Sequence, residues 1–161
     1  MDFDKLKATI QASVGYDSQG HWCTVKPLNT EGLHGFVYVI HNQKDDRYYI
    51  GKKNFLHGGK KSYKRGGKRI PNYKHGTETD WKEYCGSSRD LQRDLEKHGE
   101  ENFSFTILYT YETRGGLSYG EANLQHKLDV LVERHIDGTP RYYNQNIAAI
   151  KYIPREMGTA A

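Results

Sequence analysis

Apolar and β-branched residues are concentrated in a few short runs separated by polar stretches. Residues 35–40 form one such run and residues 47–50 another, with the polar turn 41–46 between them, so this part of the chain predicts a β-hairpin. Residues 103–109 alternate between apolar and polar and predict a further strand. Residues 141–147 predict a late strand or an ordered loop.

Helical spacing occurs in three places. Near the N-terminus, apolar residues recur every four positions and predict a short amphipathic helix: Leu6, Ile10 and Val14. A second helix is predicted to begin after Ser87 as its N-cap and to end at Gly99. The longest helix is predicted over residues 117–135, with Ser118 as its cap and Glu121 at the third position after it.

This order of elements mixes helices and strands around an antiparallel hairpin. It predicts an α+β fold, with a small antiparallel or mixed β-sheet flanked by helices. The 161 residues suit one domain of ordinary size. We expect an N-terminal extension over residues 1–34, the domain itself over 35–150, and a flexible tail over 151–161.

Composition narrows the class of protein. No run approaches the roughly 18 apolar residues of a membrane span, so we expect no membrane partner. No secretory signal opens the chain. Two cysteines, Cys23 and Cys85, are too few for a disulfide framework or for a four-ligand zinc site on their own. We therefore expect a cytoplasmic protein, located in the host cytoplasm if a phage encodes it.

The net charge of +4 comes from one segment, which we call the basic loop, residues 52–75. It contains no Asp or Glu, and the remaining 15 Lys and Arg face 20 Asp and Glu, a balance of −5. Glycines argue against a helix there, and aromatic residues alternate with the cations. Such a loop suits phosphates and bases, although a solvated, self-repelling loop has the same composition. Its cations are Lys52, Lys53, Lys60, Lys61, Lys64, Arg65, Lys68, Arg69 and Lys74.

The hairpin carries the residues with the clearest chemical meaning. Tyr49, Ile50 and Gly51 follow one another, and Tyr38 lies 11 residues before Tyr49. Here the chain resembles the GIY-YIG nuclease superfamily: its second motif is intact, while residues 36–38 read Phe-Val-Tyr instead of Gly-Ile-Tyr. Further resemblance follows in order at the central helix, the third strand, the glutamate helix and the terminal asparagine motif. These lie at residues 86–99, 102–108, 118–122 and 143–144.

This resemblance is to stand-alone nucleases of bacteriophage type. It implies a DNA endonuclease, acting on double-stranded DNA, that depends on a divalent metal, Mg²⁺ or Mn²⁺. Glu121 would hold the metal through hard oxygen ligands. Either Tyr38 or Tyr49 would take a proton from water. Because a phenol has a pKa of about 10, that tyrosine needs a neighbouring cation or the metal to act near neutral pH, and Lys52 and Lys53 follow closely in sequence.

The family's arginine has no obvious equivalent soon after Gly51. We assign that role to Arg65, with Lys53 or the later Arg69 as alternatives. Gly51 is expected to allow a close approach of backbone or ligand. Asn144 is expected to tie a loop beside the site, with Asn146 as the alternative match. The predicted DNA-binding residues are Lys52, Lys60, Lys61, Lys64, Lys68 and Arg69.

Other interpretations remain open at this stage. Ser118 and Glu121 fit a capping box, which needs no metal. Against that, Glu121 continues an apolar stripe and so faces inward: Leu124, Leu128 and Leu131. The altered first motif favours a non-catalytic nucleic-acid-binding protein with a nuclease-like fold, and the basic loop would also suit single-stranded RNA. A monomer and a homodimer are equally compatible with the sequence.

Overall fold

A computed structural model describes residues 1–58, 63–70 and 74–161. Three α-helices are described: α1 (Phe3–Ala12), α2 (Arg89–His98) and α3 (Arg114–Lys127). The strands are β1 (Val14–Gly15), β2 (Cys23–Thr24), β3 (Gly35–Asn42), β4 (Arg47–Asn54), β5 (Tyr63–Arg65), β6 (Lys68–Ile70), β7 (Phe103–Tyr111) and β8 (Thr159–Ala160). Short 3-10 turns occur at Asp17–Gln19, Trp81–Glu83 and Glu100–Asn102.

The main sheet has the strand order β1-β2-β7-β3-β4, with β8 paired to β7. Every pairing is antiparallel except that of β2 with β7, so the sheet is mixed. The predicted hairpin is confirmed as β3 and β4, which place Tyr38 opposite Gly51. The α+β prediction is confirmed by this sheet and its helices.

Each face of the sheet buries its own core, because successive side chains of a strand point to opposite faces. On the first face, Val37, Val39 and Ile50 pack with α1 and α3. On the second face, an aromatic cluster packs with α2 and the turn at Trp81: Trp22, Phe36, Tyr38 and Phe55. Strand β4 is the edge of the sheet, so groups from both layers meet around it.

Helix α3 differs from its prediction. It begins five residues earlier than the predicted Ser118 cap implies, because the Thr113 hydroxyl accepts a hydrogen bond from the Gly116 N–H at 3.0 Å and caps the helix. Ser118 therefore lies inside the helix, and the predicted Ser118 cap is wrong. The helix ends at Lys127, and Leu131 beyond it is exposed. The apolar stripe consequently stops at Leu128, which is buried.

The ends of the chain join the main sheet. Helix α1 stops at Ala12, and Val14, expected on its apolar face, lies exposed in β1. At the other end, β8 pairs with β7, and the Ala161 N–H donates to the Leu108 carbonyl at 3.1 Å. This pairing differs from the flexible tail expected from the sequence, because backbone pairing needs no recognisable side-chain pattern.

The basic loop is more regular than its composition indicated. Lys52 and Lys53 still belong to β4, and β5 pairs with β6 as a second hairpin. Gly66 and Gly67 form its turn with φ of 56° and 79°, values that favour a two-residue hairpin turn. Within the described ranges, no helix combines the length and apolar character needed to cross a membrane.

Candidate active site

A pocket of about 480 Å³ opens at the edge of β4. The strand contributes Tyr49, and α3 contributes Glu121 and Gln125 from the other layer. The remaining walls come from the start of α2 and from a late segment of the chain: Ser87, Ser88, Arg89, Asp90, Tyr143, Asn144, Gln145, Asn146 and Ala148. Residues far apart in sequence therefore meet in one solvent-open pocket.

The carboxylate of Glu121 lies at the base of this pocket, with only 15% of its side chain exposed. Burial raises its pKa, and the Lys52 ammonium at 3.7 Å from Oε1 partly opposes that shift. Lys52 also donates to the Ser118 hydroxyl at 2.8 Å. Because Thr113 caps α3, the capping-box interpretation of Ser118 and Glu121 does not hold.

The two candidate tyrosines differ in their access to solvent. Tyr38 is 1% exposed, whereas Tyr49 is half-buried and lines the pocket. The Tyr49 hydroxyl lies 3.1 Å from the Ser87 hydroxyl. Burial raises the pKa of Tyr49, and it raises that of Tyr38 well above the ordinary range. Only Tyr49 is placed to touch a molecule in the pocket.

Gly51 is the residue that allows both tyrosines to pack as they do. A Cβ atom at this position would lie 2.5 Å from the Tyr38 hydroxyl oxygen and 2.9 Å from Cε1 of Tyr49. Neither distance is sterically possible without moving a ring. The close approach expected at Gly51 is therefore made by the two tyrosine side chains.

Asn144 is joined to β4 at Ile50, which immediately precedes Gly51. Its side-chain Oδ1 accepts from the Ile50 N–H, and its Nδ2 donates to the Ile50 carbonyl. The same carbonyl accepts a second hydrogen bond, from Nε2 of Gln125 at 3.0 Å. Asn146 is exposed. Of the two asparagines, Asn144 makes the contact expected of a residue that ties a loop beside the site.

Lys53 points away from the pocket lining. Its ammonium forms an ion pair with Asp80 at 2.6 Å and lies 4.0 Å above the centre of the Tyr84 ring. Lys52 is engaged with Glu121 and Ser118. The described contacts of the two lysines are thus with groups other than Tyr49, whose pKa was expected to depend on them.

Several predicted residues are not described. Lys60 and Lys61 lie outside the described residues, as do the side chains of Lys64, Arg65 and Arg69. Lys68 is described and exposed at the β5–β6 turn. The role of these cations in binding DNA, and the choice of Arg65 for the family's arginine, stay predictions.

Arg89 is a pocket residue that was not predicted from the sequence. It is the first residue of α2, it is exposed, and it lines the pocket with Tyr49 and Glu121. Helix α2 also directs its N-terminus, capped by Ser88, toward this pocket. A cation at the predicted start of the central helix was the available signal, but nothing in the sequence placed it beside Glu121.

The residues that line the pocket fit Mg²⁺ or a similar divalent cation. Among the described residues, Glu121 belongs to neither of the two groups in which three metal-ligating side chains converge. Mg²⁺ keeps several of its waters and is commonly bound through one or two carboxylates plus substrate phosphate. Glu121 is a mostly buried carboxylate that faces an open polar pocket, which Asp90 also lines, and this matches that requirement.

Two further clefts continue from the pocket along the surface. A cleft of about 380 Å³ shares Ala148 with it, and a larger one of about 980 Å³ shares Lys52, Arg114 and Ser118 with the middle cleft. The largest cleft also contains three histidines: His34, His57 and His75. The three clefts thus adjoin one another through shared lining residues, and we call them together the groove.

Comparison with known proteins identifies the family to which the chain belongs. A family model described as "Putative endonuclease segE, GIY-YIG domain" matches residues 22–147, well over half of the chain. No curated protein matches, and no solved structure matches.

Proposed function

Since the chain belongs to the SegE GIY-YIG family, we propose that it is a metal-dependent DNA endonuclease that hydrolyses phosphodiester bonds. The observation that carries the proposal is the meeting of Tyr49 and Glu121 in one pocket. They come from different layers of the fold: Tyr49 belongs to the edge strand β4, and Glu121 belongs to α3, which packs beside it. A purely structural role would not require a buried carboxylate and a tyrosine to face the same solvent-open space.

Glu121 is proposed as the residue that holds the divalent cation, Mg²⁺ or Mn²⁺. When bound, such a cation supplies Lewis-acid stabilisation of negative charge on the phosphate. Lys52 neutralises part of the Glu121 charge in the free protein, since its ammonium lies 3.7 Å from the carboxylate. The hydrogen bond from Lys52 to the Ser118 hydroxyl is a second contact that holds the ammonium in place.

Tyr49 is proposed as the proton acceptor. In the hydrolytic step a water oxygen forms a bond to phosphorus and the bond from phosphorus to the leaving sugar oxygen breaks. The water proton passes to the Tyr49 phenolate, and the leaving oxygen takes its proton from solvent. Tyr38 is proposed as a positioning residue, because it is buried under the Tyr49 ring and packs against Gly51.

Arg89 is proposed to bind the phosphate that is attacked. A guanidinium offers a planar pair of donors to phosphate oxygens, and the neighbouring N-terminus of α2 favours the same charge. The groove that leaves the pocket past Lys52 and Arg114 would hold the flanking phosphates. The basic loop begins at Lys52 and carries further cations along the chain after it.

The test is plasmid nicking. Supercoiled plasmid is incubated with the full chain and Mg²⁺ or Mn²⁺, beside Glu121→Gln and the matched control Glu96→Gln, which alters an exposed glutamate of α2. We expect wild type and Glu96→Gln to relax the plasmid, and Glu121→Gln to be slower by about 100-fold or more.

Two other outcomes would contradict the proposal. Binding of plasmid with no cleavage in either metal would indicate a non-catalytic nucleic-acid-binding protein. Preferential binding and cleavage of single-stranded RNA would indicate that RNA is the substrate.

A further inference from the structure

Three metal-ligating side chains converge beside the Tyr84–Cys85 segment, outside the active-site pocket. His21 follows the first 3-10 turn, Cys85 precedes α2, and Glu100 begins the turn after α2. One ligand atom from each, a ring nitrogen of His21, Cys85 Sγ and a Glu100 carboxylate oxygen, lies within 4.8 Å of both others. None of the three lines the active-site pocket.

The His21 ring is held in the orientation that a metal ligand requires. Its Nε2 lies 3.1 Å from the Tyr84 carbonyl, which can only accept, so Nε2 carries the proton. The ring stacks on Phe105 with centroids 3.9 Å apart, and Nδ1 faces the Glu100 carboxylate at 2.9 Å. Histidines that bind metals commonly donate their other N–H to a backbone carbonyl in this way.

We propose that His21, Cys85 and Glu100 bind one Zn²⁺, with the fourth position taken by water. Nitrogen, thiolate and carboxylate are the ligands zinc accepts in tetrahedral sites, whereas Mg²⁺ favours oxygen alone. A thiolate and a carboxylate together carry two negative charges, which the dication neutralises. The Cys85 thiol donates to the Glu83 carbonyl at 3.3 Å, and zinc binding would replace the thiol proton.

The second convergent group in the described residues lacks these features. Asp45, Asp94 and His98 also approach one another, but their carboxylates already have strong partners. The Tyr143 hydroxyl donates to Asp94 at 2.6 Å and the Asn42 amide donates to Asp45 at 3.0 Å. Only the cluster with Cys85 combines a soft ligand with an oriented imidazole.

Zinc at this position would act on the fold. It would join the N-terminal segment at His21 to the stretch that leads into α2, two residues before Ser87. Ser87 is the hydrogen-bond partner of Tyr49. The zinc ion would therefore stabilise the loop that carries Ser87, although it would lie outside the catalytic pocket.

The alternative occupant of the cluster is a proton. An imidazolium at His21 would donate to both the Tyr84 carbonyl and Glu100, and no metal would be needed. Direct measurement of metal binding separates the two. The full chain is stripped with chelator, then titrated with Zn²⁺ and separately with Co²⁺, and the thiolate-to-cobalt charge-transfer absorption is recorded.

We expect one tightly bound Zn²⁺ per chain, a cobalt spectrum with thiolate character, and a higher Tm with zinc than without. Cys85→Ser and Glu100→Gln should each weaken zinc binding by more than about 100-fold, because even partners of metal ligands are worth 10–100-fold. Cys23→Ser is the matched control, since it changes the other half-buried cysteine and should keep the zinc.

Two results would overturn the inference. One is zinc binding that Cys85→Ser leaves unchanged, and the other is the absence of stoichiometric zinc in a wild-type chain that is folded by circular dichroism. The Glu121→Gln variant should retain the zinc. Loss of nicking in that variant alone thus tests the nuclease proposal separately from this one.

Discussion

Asn144 and Ile50 are joined by a pair of hydrogen bonds that resembles strand pairing. The Asn144 Oδ1 accepts from the Ile50 N–H at 3.0 Å, and Nδ2 donates to the Ile50 carbonyl at 2.8 Å. The backbone of the preceding residues pairs with the same edge, since the Tyr48 N–H donates to Arg141 and its carbonyl accepts from Tyr143. A side-chain amide thus continues, at Ile50, a pairing that backbone groups begin.

Asn144→Ala is expected to destabilise the chain by about 2 kcal/mol, because two hydrogen bonds of about 1 kcal/mol each are lost. Asn146→Ala, which changes an exposed residue, should alter stability by less than about 0.5 kcal/mol. Urea unfolding of both variants measures the difference. Equal stability of the two variants would show that the Asn144 contacts do not hold the segment.

Gly51→Ala is expected to reduce both stability and nicking, because the new methyl group needs the space of the Tyr38 and Tyr49 rings. Overpacking of this kind costs about 1–3 kcal/mol. Gly15→Ala is the matched strand control, since its Cβ would meet only the Cys23 sulfur at an ordinary 3.9 Å. Thermal unfolding and plasmid nicking are measured together. Wild-type behaviour of Gly51→Ala would mean that neither tyrosine depends on this packing.

The two tyrosines are expected to respond differently to loss of the hydroxyl. Tyr49→Phe should lower nicking by about 100-fold while keeping the fold, since general base catalysis contributes about that much. Tyr38→Phe should cost about 1 kcal/mol of stability and have a smaller effect on the rate. The comparison uses single-turnover nicking and urea unfolding. A larger rate loss in Tyr38→Phe would reverse the assignment.

The nicking rate is expected to rise with pH. Burial raises the pKa of Tyr49 above its ordinary value of about 10, so the phenol stays protonated at neutral pH in the free protein. As a base it acts only when deprotonated, and the rate should increase about tenfold per pH unit below its pKa. A pH profile of kcat/KM checks this. In Tyr49→Phe the slope should disappear, and a persisting slope would point to another base.

Arg89→Ala is expected to weaken DNA binding and cleavage by about 10–100-fold, the equivalent of one charge-assisted contact of about 1.5–3 kcal/mol. Lys97→Ala removes a cation from the other end of α2 and should have little effect. Binding is measured in the Glu121→Gln background, so that cleavage does not consume the DNA. Equal affinities of the two variants would remove Arg89 from the phosphate site.

The sequence predicted best where apolar residues have a clear pattern. Two apolar runs separated by a polar turn predicted the pairing of β3 with β4, and the spacing of Glu121 from Leu124 and Leu128 predicted that its carboxylate faces inward. The start of α3 was mispredicted because Thr113 competed with Ser118 as a cap, and both are good N-cap residues.

The composition of the site was harder to predict than the fold. Arg89 and Ser87 join Tyr49 and Glu121 only because three remote segments meet at the edge of β4. Sequence spacing holds no information about such a meeting. The hairpin inside the basic loop was missed for another reason. Glycines disfavour a helix and also favour tight turns, and only the first property entered the prediction for Gly66 and Gly67.

The covering of β4 has a consequence beyond the active site. An uncovered edge strand offers its backbone groups to strands of other molecules and is a starting point for aggregation. Here Tyr48 is paired with the backbone of residues 141–143, and Ile50 is paired with the Asn144 amide. The residues that shape one wall of the pocket thereby also occupy backbone groups of β4 that an added strand would otherwise pair with.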